Sequence, residues 1–167
     1  MEITFTLARE SDLPAIWELY QAGIRGLRDH GILQWDERYP DQDILREDVS
    51  KGEMYLGWQN RKLVGVYVLN QECDPQYESG SWKYPQEPFQ VVHRLCVHPL
   101  YQGQGIARQI MEHIEETVRA AGIRVMRLDV FSCNPRALAL YENLGYCRRG
   151  YADWRMGRFY LMEKGLS

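Results

Sequence analysis

Apolar side chains recur along this chain with two periods, and the switches between them mark out its elements. Ile3-Thr4-Phe5-Thr6-Leu7 alternates at period two and predicts a short strand. Leu13, Ile16, Trp17 and Tyr20 then repeat at helical spacing, with Ser11 or Asp12 as cap and Pro14 in the first turn. Gly23, Gly26 and Gly31 are expected to interrupt the chain beyond Tyr20. The stretch Gly31 to Pro40 mixes aromatics with charge, and reads either as a lid or an acceptor pocket, or as an ordinary helix-helix connection with Trp35 and Tyr39 in the core. A second helix is expected over Asp41 to Lys51.

Glu53 to Trp58 and Lys62 to Leu69 alternate as strands joined across Gln59-Asn60-Arg61, which predicts an antiparallel hairpin. Asn70 to Phe89 holds Pro75, Pro85 and Pro88 among acids and aromatics and shows no period. It is expected to be a structureless segment, either an acceptor-side flap or a plain mobile insertion. An apolar run from Val91 to Val97 is stopped by Pro99, and the turn Gln102-Gly103-Gln104-Gly105 opens into a helix with Ile106, Ile110, Ile114 and Val118 on one face and Gly122 at its end. Arg124 to Phe131 is the next strand. A strand, crossover helix and strand in this order predict parallel pairing. Asn134 as N-cap, Pro135 at the first helical position and Gly145 past the end bound a further helix. Tyr146 to Tyr151 and Arg158 to Lys164 predict a closing hairpin, whose exposed strand leaves room for a homodimer.

The fold class expected from this order is α/β, a mixed central β-sheet flanked by α-helices, in a single domain over residues 1–167. The length of 167 residues suits one domain with a real core, and 45% apolar with 26% charged residues is an ordinary globular composition. A net charge of −3 without any Lys/Arg-rich block argues against a nucleic-acid partner. No apolar run approaches the roughly 18 residues of a membrane span, and the start Met1-Glu2 lacks a secretory pattern, so no membrane partner is expected and the cytoplasm is the expected compartment. Cys73, Cys96, Cys133 and Cys147 are widely spaced without a C-x-x-C pair, and the four histidines lack ligand spacing; reduced thiols and no metal are expected.

The candidate chemistry begins at the glycine turn. Residues without side chains let a ligand oxygen approach the backbone, and the first amides of the helix from Ile106 favour an anion, so a pyrophosphate seat is predicted. A tight strand-to-helix connection would carry the same two glycines. A dinucleotide site lacks its third glycine, Arg108 standing there, and a P-loop lacks its Gly-Lys-Ser/Thr. A cysteine nucleophile at Cys96 or Cys133 has no evident His/acid pairing.

With Gln102, Gly105 and Ala107 matching Arg/Gln-x-x-Gly-x-Gly/Ala between a strand and a helix, and Asn134, Tyr141 and Leu144-Gly145-Tyr146 matching a second element, the chain resembles the GCN5-related N-acetyltransferase family over nearly its whole length. The resemblance implies a splayed sheet and acetyl-coenzyme A as co-substrate. It implies that Gly103, Gln104, Gly105, Ile106, Ala107 and Arg108, together with Gln102, hold the pyrophosphate. Leu95, Cys96 and Val97 would pair with the pantetheine arm, and Asn134 would hydrogen-bond it. Tyr141 would be the general acid that protonates the departing thiolate, seven residues being close to two helical turns. Its alternative is a core tyrosine among leucines. Asp129 matches a base position of some relatives; Glu87, His93 and a water relay are the other candidates. The implied activity is direct transfer of an acetyl group to a primary amine of a small molecule or peptide. The alternative is a non-catalytic acyl-coenzyme A-binding sensor or interaction module.

Overall fold

The computed structural model describes residues 2–167. Its strands are β1 (Thr4–Leu7), β2 (Met54–Gln59), β3 (Lys62–Asn70), β4 (Phe89–Val97), β5 (Val125–Phe131), β6 (Cys147–Trp154) and β7 (Gly157–Gly165), in the order β1-β2-β3-β4-β5-β7-β6. The helices are α1 (Leu13–Asp29), α2 (Gln42–Ser50), α3 (Ile106–Ala120) and α4 (Pro135–Asn143). β4 and β5 run parallel, while β1-β2, β2-β3, β5-β7 and β6-β7 are antiparallel, so the sheet is mixed and the fold is α/β as the period switches predict. The residues gather into two compact units, Met1–Leu69 with Arg94–Met111, and Asn70–His93 with Glu112–Ser167.

In the first unit, alternation along β3 sends Val66 and Val68 to the side where Ile16, Leu19, Tyr20 and Ile24 of α1 and Leu45 of α2 close a core. On the other side, Gly65 leaves room for α3: a Cβ there would lie 2.7 Å from Ile110 Cδ1. The structure corrects two readings of the N-terminal region. Asp12 does not cap α1 through its side chain; its Oδ2 accepts from Arg9 N at 2.8 Å and closes a short 3-10 turn ahead of the helix. Gly23 and Gly26 do not interrupt α1 either. They sit inside it because the helix crosses the end of β4 closely, a Cβ on Gly23 falling 2.5 Å from Cys96 Sγ and one on Gly26 3.0 Å from Pro99 Cγ. Gly31, at φ 73°, follows the true end.

Gly23→Ala should therefore lower stability although alanine is the better helix former by about 1 kcal/mol. The added methyl meets a buried sulfur, and overpacking of that kind costs about 1–3 kcal/mol. A thermal melt at or above the wild-type midpoint would show that this contact relaxes without cost.

Of the two aromatics in the stretch 31–40, Trp35 takes the core position and Tyr39 does not. Trp35 is buried against Tyr20, ring centroids 5.8 Å apart, whereas Tyr39 stays 36% exposed on a tight reversal in which Asp36 and Tyr39 exchange backbone hydrogen bonds of 3.1 and 3.3 Å.

In the second unit, β4 pairs with β5 from Phe89↔Val125 to Val91↔Arg127, and β5 pairs along its whole length with β7 of the closing hairpin. The insertion 70–88 is not structureless. Asp74 caps a 3-10 turn, Pro75–Ser79, that carries Tyr77 into the core, and Trp82 Nε1 donates to Tyr77 O at 2.8 Å. The Arg127 guanidinium lies 4.1 Å from the Trp82 ring centroid and 4.2 Å from that of Phe89, and donates to Tyr84 O at 3.1 Å. The Glu163 carboxylate is wholly buried and accepts from Lys83 N (2.9 Å), Tyr84 N (3.3 Å) and Arg149 Nε (3.2 Å). Charge and backbone satisfaction thus hold a segment that no period could reveal, since Arg127 stands 43 positions beyond Tyr84 and Glu163 stands 80 beyond Lys83. Glu163→Gln should destabilise the protein by about 1–3 kcal/mol, because it removes the charge that faces the guanidinium groups of Arg127 and Arg149. Amide exchange at Lys83 and Tyr84 should accelerate with it. Unchanged protection at both would mean that the segment is held by its aromatic contacts alone.

Candidate functional site

The glycine turn is built as the sequence predicts. After β4, His98 Nδ1 accepts from Leu100 N at 3.2 Å and starts the 3-10 turn Pro99–Tyr101, and Gln102 folds its Nε2 back onto Val97 O at 3.2 Å. Gly103 and Gly105 then take φ 79° and 76°, which the absence of a side chain permits. The first helical bond of α3 runs from Gln109 N to Gly105 O at 3.1 Å. The amides of Ile106, Ala107 and Arg108 therefore lie ahead of the helical ladder, at the positive end of a 15-residue helix. A Cβ on Gly103 or Gly105 would meet no atom within 4 Å, so the space over this backbone is open to a ligand. Room, amides and dipole fit a polyanion such as a pyrophosphate.

Of the strand leading in, Leu95 is half-buried and Cys96 and Val97 are buried. Burial pushes the Cys96 thiol up to about 12, so it stays protonated and is a poor nucleophile. Cys133 is exposed.

The other predicted residues lie in the second unit. Asn134 is buried, and its Oδ1 caps α4 by accepting from Ala137 N at 3.2 Å. Tyr141, on α4, packs its ring edge-on against Tyr146 at 5.9 Å. Burial, and after it the negative charge of Asp129, raises the Tyr141 phenol above its ordinary value, so it holds its proton through neutral and alkaline pH. Asp129, half-buried on β5, accepts from the Tyr77 hydroxyl at 2.6 Å.

Tyr77 is the residue that sequence reasoning missed. It stands 52 positions before Asp129 in a segment without period, where Trp82 and Tyr84 give the same aromatic signal. The remaining base candidates fare differently. His93 Nε2 faces two acceptors, Asn70 Oδ1 at 2.8 Å and Glu72 O at 3.0 Å, so that nitrogen carries the proton and is not the atom to take one up. Glu87 is exposed. Among the described residues no three His, Cys, Asp or Glu side chains cluster as a metal site, and no helix is long and apolar enough to cross a membrane.

Known proteins share this fold. The family model described as the acetyltransferase (GNAT) family matches residues 14–146. The chain is 28% identical over 150 residues to the L-methionine sulfoximine/L-methionine sulfone acetyltransferase of Salmonella typhimurium, covering 86% of this chain and 80% of the relative. It is 26% identical over 162 residues to the [ribosomal protein bS18]-alanine N-acetyltransferase of Escherichia coli, covering 93% and 90%. Among solved structures, a GNAT-family acetyltransferase from Streptococcus agalactiae superposes with a TM-score of 0.88 at 18% identity, covering 99% and 96%. The structure of yncA from Salmonella typhimurium with its cofactor acetyl-CoA superposes with a TM-score of 0.70 at 19% identity, covering 100% and 95%.

Proposed function

Because this chain belongs to the acetyltransferase (GNAT) family, we propose that it transfers the acetyl group of acetyl-coenzyme A directly, in a ternary complex, to the α-amino group of an amino acid or of a peptide N-terminus. The observation that carries the donor half is the turn Gly103 to Gly105, left-handed at both glycines and set at the positive end of α3. The acceptor half rests on the relatives, one named for an amino-acid derivative and the other for alanine of a ribosomal protein.

Transfer requires a neutral amine, a donor to the charge developing on the acetyl oxygen, and a proton for the sulfur. The amine nitrogen forms a bond to the acetyl carbon as the carbon–sulfur bond breaks; one proton leaves nitrogen and one reaches sulfur. The backbone of Gly103 to Arg108 holds the pyrophosphate. Leu95, Cys96 and Val97 align the thioester arm, and an amide near Val97 donates to the acetyl oxygen. The side-chain amide of Asn134 holds the arm, and Tyr141 protonates the thiolate. Asp129 receives the proton from the acceptor amine, its carboxylate oriented by the Tyr77 hydroxyl.

Asp129→Asn tests the last role. It keeps an acceptor for Tyr77 but loses the charge, and should lower kcat by roughly 10²-fold with acetyl-coenzyme A binding intact. Wild-type turnover in that variant would pass the proton to water and leave Asp129 as a structural partner of Tyr77.

A further inference from the structure

Glu115 is a buried carboxylate on α3, 5% exposed, in the same helical stripe as Met111 and Val118. Burying an ion is costly unless its partners are complete. Here Tyr146 donates its hydroxyl to Glu115 Oε2 at 2.8 Å, and Lys164 of β7 donates Nζ to Oε1 at 2.6 Å. Lys164 Nζ also lies 5.7 Å from the centroid of the Tyr146 ring. Its stem crosses the turn before that residue, where a Cβ on Gly145 would meet Lys164 Cε at 3.5 Å. One helix and one strand thus hold Tyr146 by its hydroxyl and its ring.

Tyr146 in turn meets Tyr141 twice. Its N donates to Tyr141 O at 3.0 Å, and Gly145 N donates to Glu142 O at 3.1 Å, the paired bonds that close a helix through a left-handed glycine, here at φ 97°. Its ring meets the Tyr141 ring edge-on, centroids 5.9 Å apart and planes at 71°. Backbone and side chain of Tyr141 are therefore both set against the residue that Glu115 anchors. Burial, and after it the charge of Glu115, raises the Tyr146 phenol well above its ordinary value, so its hydroxyl stays a donor.

We propose that Glu115 is a positioning residue for acetyl transfer: with Lys164 it holds the Tyr146 hydroxyl, and through the Tyr146 ring it fixes the direction of the Tyr141 phenol. The inference rests on the acetyltransferase reading above and on the acid role of Tyr141 within it. Apolar residues of similar volume in place of a buried ion pair are often neutral or stabilising, so what the pair adds is direction. A hydrogen bond to a carboxylate holds a ring at one angle, where apolar contact alone permits several.

Tyr146→Phe keeps the ring and removes the hydroxyl that Glu115 holds. Measured well below the melting point of the variant, kcat should fall by about 5-fold or more, with the acetyl-coenzyme A dissociation constant within about 2-fold of wild type. The same substitution made on top of Tyr141→Phe should change kcat by less than about 2-fold, because the phenol it directs is already gone. A role in stability alone would lower kcat by the same factor in both backgrounds. Glu115→Gln, which loses the charge facing Lys164, takes the place of Tyr146→Phe in the same pair of measurements if that variant does not fold. Equal factors in the two backgrounds, or wild-type kcat in the single variant, overturn the inference and leave the acid role standing. Wild-type kcat in Tyr141→Phe overturns the acid role and this inference together, which distinguishes the two failures.

Discussion

Tyr141→Phe is expected to lower kcat by roughly 10²-fold or more while leaving the acetyl-coenzyme A dissociation constant within about 2-fold of wild type. The substitution keeps the ring that packs against Tyr146 and removes the one hydroxyl assigned to the sulfur. Its pH dependence carries a sign. Burial, reinforced by the charge of Asp129, raises the phenol above the ordinary value of about 10, so the acid form persists on the alkaline side. The wild-type rate should therefore show no fall below about pH 9 that the phenylalanine variant lacks. Such a fall, or wild-type turnover in the variant, would return Tyr141 to the role of a core tyrosine.

Gly105→Val should act on the other half of the reaction. The residue sits at φ 76°, where a β-branched side chain is strained by about 1–2 kcal/mol, and its new methyl groups would enter the open space over the amides of Ile106 and Ala107. Strain and obstruction together should weaken acetyl-coenzyme A binding by about 10-fold or more, since each 1.4 kcal/mol is a factor of ten. Turnover at saturating donor should change little. At Gly23, by contrast, the backbone is ordinary helix and the obstacle is protein, so stability suffers and the coenzyme does not. Calorimetry that finds unaltered affinity in Gly105→Val would remove this turn from the binding site.

The parts legible in the sequence were those governed by local rules. Asn134, Pro135 and Gly145 bound α4 through capping and φ preference, and the structure has α4 at Pro135–Asn143 with Gly145 at φ 97°. The glycine turn and the parallel β4-β5 pair follow from the same local grammar. The features that stayed hidden depend on contacts across long sequence separations. Gly23 and Gly26 look like helix breakers until Cys96 and Pro99 are seen against them. Tyr77 looks like a loop aromatic until Asp129 meets it. Arg94 falls in what reads as an apolar run, and no propensity scale shows that Tyr20, Asp48 and Tyr39 meet it there. The segment 70–89 reads as structureless because its order comes from Arg127 and Glu163 of distant strands.

Acetyl transfer to an α-amine can be tested in one assay. Acetyl-coenzyme A is incubated with the protein and, in separate reactions, free L-amino acids, short peptides with open N-termini, the same peptides N-terminally blocked but carrying lysine, and a polyamine. Free thiol and product mass are read together. Thiol release matched by an acetyl mass gain is expected in at least one of the first two groups, and none with the blocked peptide or the polyamine. Acetyl-coenzyme A binding with no release in any group would favour a sensor over an enzyme, and transfer confined to the lysine side chain or the polyamine would contradict the assignment of the acceptor.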